Sequence, residues 1–114
     1  MKRLNKVEGF IGENKVCAFL EKKKYKIIER NYSNKIGEID IIAFKDGTTI
    51  FIEVKSRSTK EFGLPCEAVD IHKQRKIRLT AQAYLQKNKL LDCPCRFDVI
   101  EVLGEQINHI ENCF

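Results

Sequence analysis

Asp46-Gly47 constrains this chain more than any other feature. It stands between two β-rich runs, residues 36–44 and 48–55, and Asp-Gly in that setting is the strongest short-range signal for a hairpin. With Asp46 and Gly47 as the two turn residues, Lys45 faces Thr48, and each step outward keeps partners in register. Ile42 then faces Phe51, Asp40 faces Glu53, and Glu38 faces Lys55. Side chains alternate along a strand, so all of these fall on one face of the ribbon. Ile39, Ile41, Ile50, Ile52 and Val54 fall on the other.

The remaining elements follow from periodicity. A helix is expected from about Val7 to Lys23, with Phe10, Val16, Cys17 and Leu20 on one stripe. Tyr25 to Tyr32 reads as a strand, and residues 56–66 as a loop. A second helix is expected from about Asp70 to Lys87, with Asp70 as N-cap and Ile77, Ala81, Tyr84 and Leu85 as its apolar face. Arg96 to Leu103 and Gln106 to Glu111 read as two strands around Gly104-Glu105. The order αβββαββ predicts an α/β (α+β) fold with helices packed on a mixed central sheet. No repeat, low-complexity tract or linker interrupts it, so residues 1–114 are expected to form one domain.

The hairpin also carries the chemistry. Asp40 and Glu53 should sit opposite each other with Cβ atoms roughly 5 Å apart, where like charges are destabilising. Ile42, Phe44 and Phe51 flank them, so water offers little relief. A divalent cation is the obvious compensation, since Mg²⁺ binds carboxylate oxygens at about 2.0–2.1 Å and keeps several waters. Lys55 shares the face and can reach a metal-bound water or a phosphate. This is equipment for metal-assisted phosphodiester hydrolysis. The rival reading is a salt-bridge ladder, with Glu38 on Lys55 and an arginine on Asp40 or Glu53. Both faces of the hairpin are apolar-rich, which an exposed ladder does not require.

Glu13 projects from the first helix's apolar stripe, either as a third acid at the site or at the stripe's edge. Gln74 lies on the inward side of the second helix, where its amide would hold a water or phosphate, or else cap the helix. Arg57, Lys60, Lys73, Arg75, Lys76 and Arg78 surround the pair and together would track a phosphate backbone. His72 and Asp98 are weaker candidates.

Charge agrees with this. Twenty-one Lys and Arg against sixteen Asp and Glu leave a net +5, which favours a polyanionic partner without establishing one. No apolar run approaches the about 20 residues of a membrane span, and the basic N-terminus lacks an apolar core for a signal peptide. A cytoplasmic location is expected, with Cys17, Cys66, Cys93, Cys95 and Cys113 as reduced, mostly buried thiols. His72 and His109 stand at no zinc-ligand spacing from them.

Five blocks in order then resemble a known family: Gly37-Glu38-Ile39-Asp40; Phe51-Ile52-Glu53-Val54-Lys55-Ser56-Arg57; Phe62-Gly63-Leu64-Pro65 with Glu67-Ala68-Val69; Lys73-Gln74-Arg75-Lys76; and Arg96-Phe97-Asp98-Val99. They resemble the YraN-like bacterial family, whose members carry an endonuclease label that rests on fold and motif. That family is similar to archaeal Holliday-junction resolvases within the PD-(D/E)XK nuclease superfamily. Ile39 stands where the motif has proline. The resemblance implies a restriction-endonuclease-like αβββαβ core. It implies Mg²⁺ or Mn²⁺ on Asp40, Glu53 and the Val54 carbonyl, Lys55 as catalytic lysine, and Glu13 and Gln74 joining the site. The expected function is a metal-dependent endonuclease on DNA, branched or structured DNA included. Resolution of a junction would require a homodimer with two sites. The alternatives are a nucleic-acid-binding module with this fold but little cleavage of its own, and a structural domain whose carboxylates form only a ladder.

Overall fold

The protein is described by a computed structural model over residues 2–57, 66 and 69–114, with side chains from residue 12 onward. The expectations for the Phe10 side chain, Lys60 and residues 58–65 and 67–68 lie outside the described residues.

The elements run α1 (Lys2–Lys22), β1 (Lys26–Ser33), β2 (Glu38–Lys45), β3 (Thr48–Arg57), α2 (Ile71–Lys87), β4 (Cys95–Leu103) and β5 (Gln106–Ile110). This is the predicted αβββαββ order. α1 begins five residues before its apolar stripe suggests. Lys, Arg and Leu are good helix formers, so its opening turns need no buried face to be helical. The strands form one mixed sheet in the order β1-β2-β3-β4-β5. Only β3 and β4 are parallel, as the α2 crossover between them requires.

The helices cover opposite faces. Val16, Cys17 and Leu20 of α1 pack on Ile41, Ile50, Ile52 and Ile100. Ile77, Ala81, Tyr84 and Leu85 of α2 pack on Ile42, Phe51, Phe97 and Val99. Each of the larger apolar side chains contributes roughly 1.5–3 kcal/mol by leaving water. Burial on both faces explains why β3 is apolar at successive positions and not only at alternate ones.

The hairpin forms as expected at its turn. Asp46 and Gly47 both take positive φ, +51° and +79°, the type I′ geometry that matches strand twist. Lys45 pairs with Thr48, Ile42 with Phe51 and Ile41 with Ile52. There the recorded ladder ends, so the expected backbone pairings of Asp40 with Glu53 and Glu38 with Lys55 are corrected. The Val54 N–H donates instead to Asp40 Oδ2 at 2.8 Å. β2 also turns over at Asp40. Ile41 packs with the α1 cluster, but Ile39 packs with the α2 cluster, so the expected sharing of a face is corrected. β1 does the same at this level: Asn31 is left-handed (φ +53°), and Tyr32, opposite Ile39, packs with the α2 cluster. The sheet therefore parts where the acidic residues begin.

The turn between β1 and β2 is pinned to α2. Asn34 Oδ1 accepts from the N–H groups of Ile36 (2.9 Å) and Gly37 (3.2 Å), and Asn34 Nδ2 donates to the Thr80 carbonyl (3.4 Å). A Cβ on Gly37 would lie 2.9 Å from Thr80 Oγ1 and 3.3 Å from Lys76 Cγ. Thr80 is buried, and its hydroxyl already donates to the Lys76 carbonyl at 2.7 Å, so it cannot simply swing aside. Gly37→Ala is expected to cost about 1–3 kcal/mol by overpacking, read as a lower midpoint in thermal unfolding.

The cysteine expectation is corrected. Cys66 and Cys113 are joined by a disulfide, with Cα atoms 5.6 Å apart. Their separation of 47 residues hides this in the sequence. The tail after β5 folds back beside β4, where the Cys113 N–H donates to the Phe97 carbonyl at 2.7 Å. Cys17 is a free buried thiol, but Cys93 and Cys95 are free and exposed. Among the described residues, no helix is long and apolar enough to cross a membrane.

Candidate active site

The parted hairpin assembles the site. Asp40 sits where β2 turns over, and Glu53 lies on the α2 face of β3, its side chain 9% exposed. Asp40 lies within the influence of the Glu53 carboxyl, which disfavours its charge. Burial first, then the Glu53 hydrogen bond and charge, push Asp40 up to about 8, against the opposing pull of the Val54 N–H. The acids that the register sets opposite each other do come together, through side chains and not through a ladder pairing.

Lys55 lies two residues beyond Glu53. Burial, and next the charge of Lys73, hold its ammonium below the usual lysine range. Lys73 comes from the first turn of α2, which Asp70 fixes by accepting from the Lys73 N–H at 2.8 Å. Lys73 Nζ is 3.2 Å from Glu53 Oε2. Burial is the largest single influence and would lower Lys73, but the charge and hydrogen bonding of Glu53, with Lys55 and Asp40, together outweigh it and the net shift is upward. The sequence reading set Lys73 among phosphate-tracking residues and missed its contact with the acid pair. A usable signal existed: Lys73, Ile77, Thr80 and Tyr84 recur at helical spacing, and the last three are buried.

The other candidates divide. Glu13 Oε1 is 3.8 Å from Arg30 Nη2, its side chain 14% exposed. Burial, and after it the charge of Asp40, raise its carboxyl, so it senses the pair while leaning toward Arg30. Gln74 takes the capping alternative, its Nε2 donating to the Val69 carbonyl at 2.8 Å. Arg57 pairs with Glu101 at 3.3 Å, its side chain 15% exposed. Glu101 itself was missed. It is buried on β4 opposite Lys55 and also accepts from Asn108 Nδ2 at 3.1 Å. Arg75, Lys76, Arg78 and His72 are exposed on α2. Asp98 is fully buried away from the pair, held by Arg96, His109 and the Asn112 N–H.

The donor set suits a hard divalent ion. Among the described residues, no three Asp, Glu, His or Cys side chains converge into a closed cage. Half-buried Asp40 and buried Glu53 offer an open oxygen site, which suits Mg²⁺ or Mn²⁺ with water completing the shell. Val54, between Glu53 and Lys55, has its N–H tied to Asp40, which fixes the peptide plane at this point.

Comparison with known proteins adds a family. A family model described as "Uncharacterised protein family UPF0102" matches residues 12–102. A UPF0102 protein of Clostridioides difficile is 52% identical over 112 residues, covering 96% of this chain and 98% of its own. One from Caldanaerobacter subterraneus is 46% identical over 122 residues and matches both chains completely. One from Persephonella marina is 42% identical over 108 residues, covering 95% of this chain and 93% of its own.

Proposed function

The chain belongs to the uncharacterised UPF0102 (YraN-like) family, and from its own site we propose that it is a divalent-metal-dependent endonuclease acting on DNA. The observation that carries this is half-buried Asp40 beside buried Glu53, with Lys73 Nζ 3.2 Å from Glu53 and Lys55 two residues along β3. Asp40 and Glu53 hold Mg²⁺ or Mn²⁺. The bound ion supplies a water of lowered pKa and offsets charge on the phosphate. Lys55, its ammonium held below the usual range, positions the attacking water against that phosphate. Arg75 and Lys76, exposed on α2, follow the flanking backbone as point charges. The substrates best suited are branched or structured DNA, with a symmetric dimer supplying two sites where two strands are cut.

The test is cleavage of labelled linear, flapped and four-way DNA with Mg²⁺, Mn²⁺ or EDTA. Cutting is expected only with metal. Lys55→Ala is expected to slow it roughly 10²–10³-fold, with DNA binding retained. Salt-dependent binding with no cutting of any substrate would instead assign a nucleic-acid-binding module.

A further inference from the structure

Lys73 belongs to two places at once. Its ammonium pairs with Glu53, and the same side chain lines a cleft of about 470 Å³ between the turn at 34–37 and the start of α2. Lys35 and Lys76 line that cleft too, and Glu38 is the one acidic lining residue among the described residues. Three ammonium groups against one carboxylate suit a phosphate. The wall opposite α2 is stiff, because Asn34 ties both the turn and Thr80. Lys73 is 44% exposed while Glu53 is 9% exposed, so a lysine on a flexible stem reaches in from the cleft to a buried acid.

Building on the nuclease reading, we propose that Lys73 is a displaceable counter-cation, which neutralises Glu53 until a divalent ion takes that carboxylate and then turns into the cleft to hold the phosphate of a nucleotide beside the cut. An ammonium 3.2 Å from a Glu53 oxygen and a divalent ion on the same carboxylate repel each other strongly. Lys73 must then find another anion, and the cleft it already lines is where a phosphate would sit. Metal and nucleic acid therefore bind with positive linkage, each raising the affinity for the other. In the metal-free protein Lys73 is a positioning residue; with substrate bound it becomes a phosphate contact.

The test is Mn²⁺ affinity, read from the electron paramagnetic resonance of the free ion without nucleic acid. Lys73→Gln removes the charge and keeps the reach. Lys73→Arg keeps the charge. Lys87→Gln, in the last turn of α2, controls for net charge. Lys73→Gln is expected to bind Mn²⁺ about fivefold to tenfold more tightly than wild type, the reverse of what loss of a merely structural group would do. Lys73→Arg and Lys87→Gln are expected to match wild type. With Mn²⁺ present, Lys73→Gln is also expected to bind a short single-stranded DNA more weakly. Unchanged or weaker Mn²⁺ binding by Lys73→Gln, with its circular dichroism intact, would overturn the counter-cation role alone. Absence of Mn²⁺ binding in wild type and all variants would overturn it together with the nuclease reading.

Discussion

Asp40→Asn is expected to abolish cleavage while making the metal-free protein more stable at alkaline pH. Asn supplies an oxygen for the Val54 N–H and an N–H for Glu53, which is what a protonated Asp40 does. It cannot ionise, so it cannot bind the metal, and cleavage should fall roughly a thousandfold or more. The stability effect follows from linkage. Asp40 is raised from 3.8 to about 8 in the folded chain, so its favourable contribution is complete below pH 3.8 and is lost as pH rises through about 8. Near pH 9 the wild-type Asp40 is ionised beside Glu53, whereas the variant's amide is neutral. After a discount for the partial exposure of Asp40, the difference is on the order of 3 kcal/mol, or roughly 10 °C in unfolding midpoint. Near pH 3.5, below the unfolded value, the two proteins should unfold within about 2 °C of each other, and the gap should widen steadily between pH 3.8 and about 8. Thermal unfolding of both in EDTA at the two pH values checks this. Mg²⁺ should raise the wild-type midpoint most at the higher pH, where the carboxylates need no deprotonation.

The second large effect is structural. Asp98 is fully buried and accepts from Arg96 Nε (3.0 Å) and the Asn112 N–H (2.9 Å), with His109 Nε2 at 2.7 Å. Arg96 also donates to the Tyr25 hydroxyl at 2.7 Å, so one acid ties β4 to β5, the C-terminal tail and, through Arg96, the residue just before β1. Asp98→Ala leaves the buried His109 imidazole and the Asn112 N–H without their acceptor and Arg96 with only the exposed Glu111 at 3.4 Å as an anion, at a cost of about 3–5 kcal/mol. Against a total stability of roughly 5–15 kcal/mol, that is a large loss in the urea midpoint. Burial alone would raise Asp98, but His109, Arg96 and Asn112 outweigh it and hold the carboxyl below its usual range. Its contribution is therefore present above pH 3.8 and lost as pH falls through its lowered value, opposite in sign to that of Asp40. Wild type should approach the variant's stability in strong acid.

Local signals carried far in this sequence. Asp46-Gly47 fixed the register through Ile41 and Ile52, and the two apolar stripes placed α1 and α2. They failed where the cause is tertiary. Strict alternation predicts Ile39 beside Ile41, but β2 turns over at Asp40 as β1 does at left-handed Asn31, and no two-residue period encodes that twist. The same event replaces a ladder hydrogen bond by the one from Val54 to Asp40, which sharpens the carboxylate pair. Lys73 is legible from its helical spacing to Ile77, but sequence alone groups it with the phosphate-tracking residues of α2, since nothing local states that Glu53 lies within its reach. Glu101 was hidden between Ile100 and Val102 on a strand apolar on both faces, and only the fold brings Arg57 and Asn108 to it. The link between Cys66 and Cys113 depends on where the tail returns, which no local pattern states.

The central claim is that the Asp40–Glu53 pair is a divalent-cation site. Anomalous diffraction from crystals soaked in Mn²⁺ tests it most directly. A single strong peak between the two carboxylates, absent in Asp40→Asn, is the predicted result. No peak there at millimolar Mn²⁺, with Lys73 still on Glu53, would contradict the account and leave the pair as a buried acid couple held by a proton and a lysine.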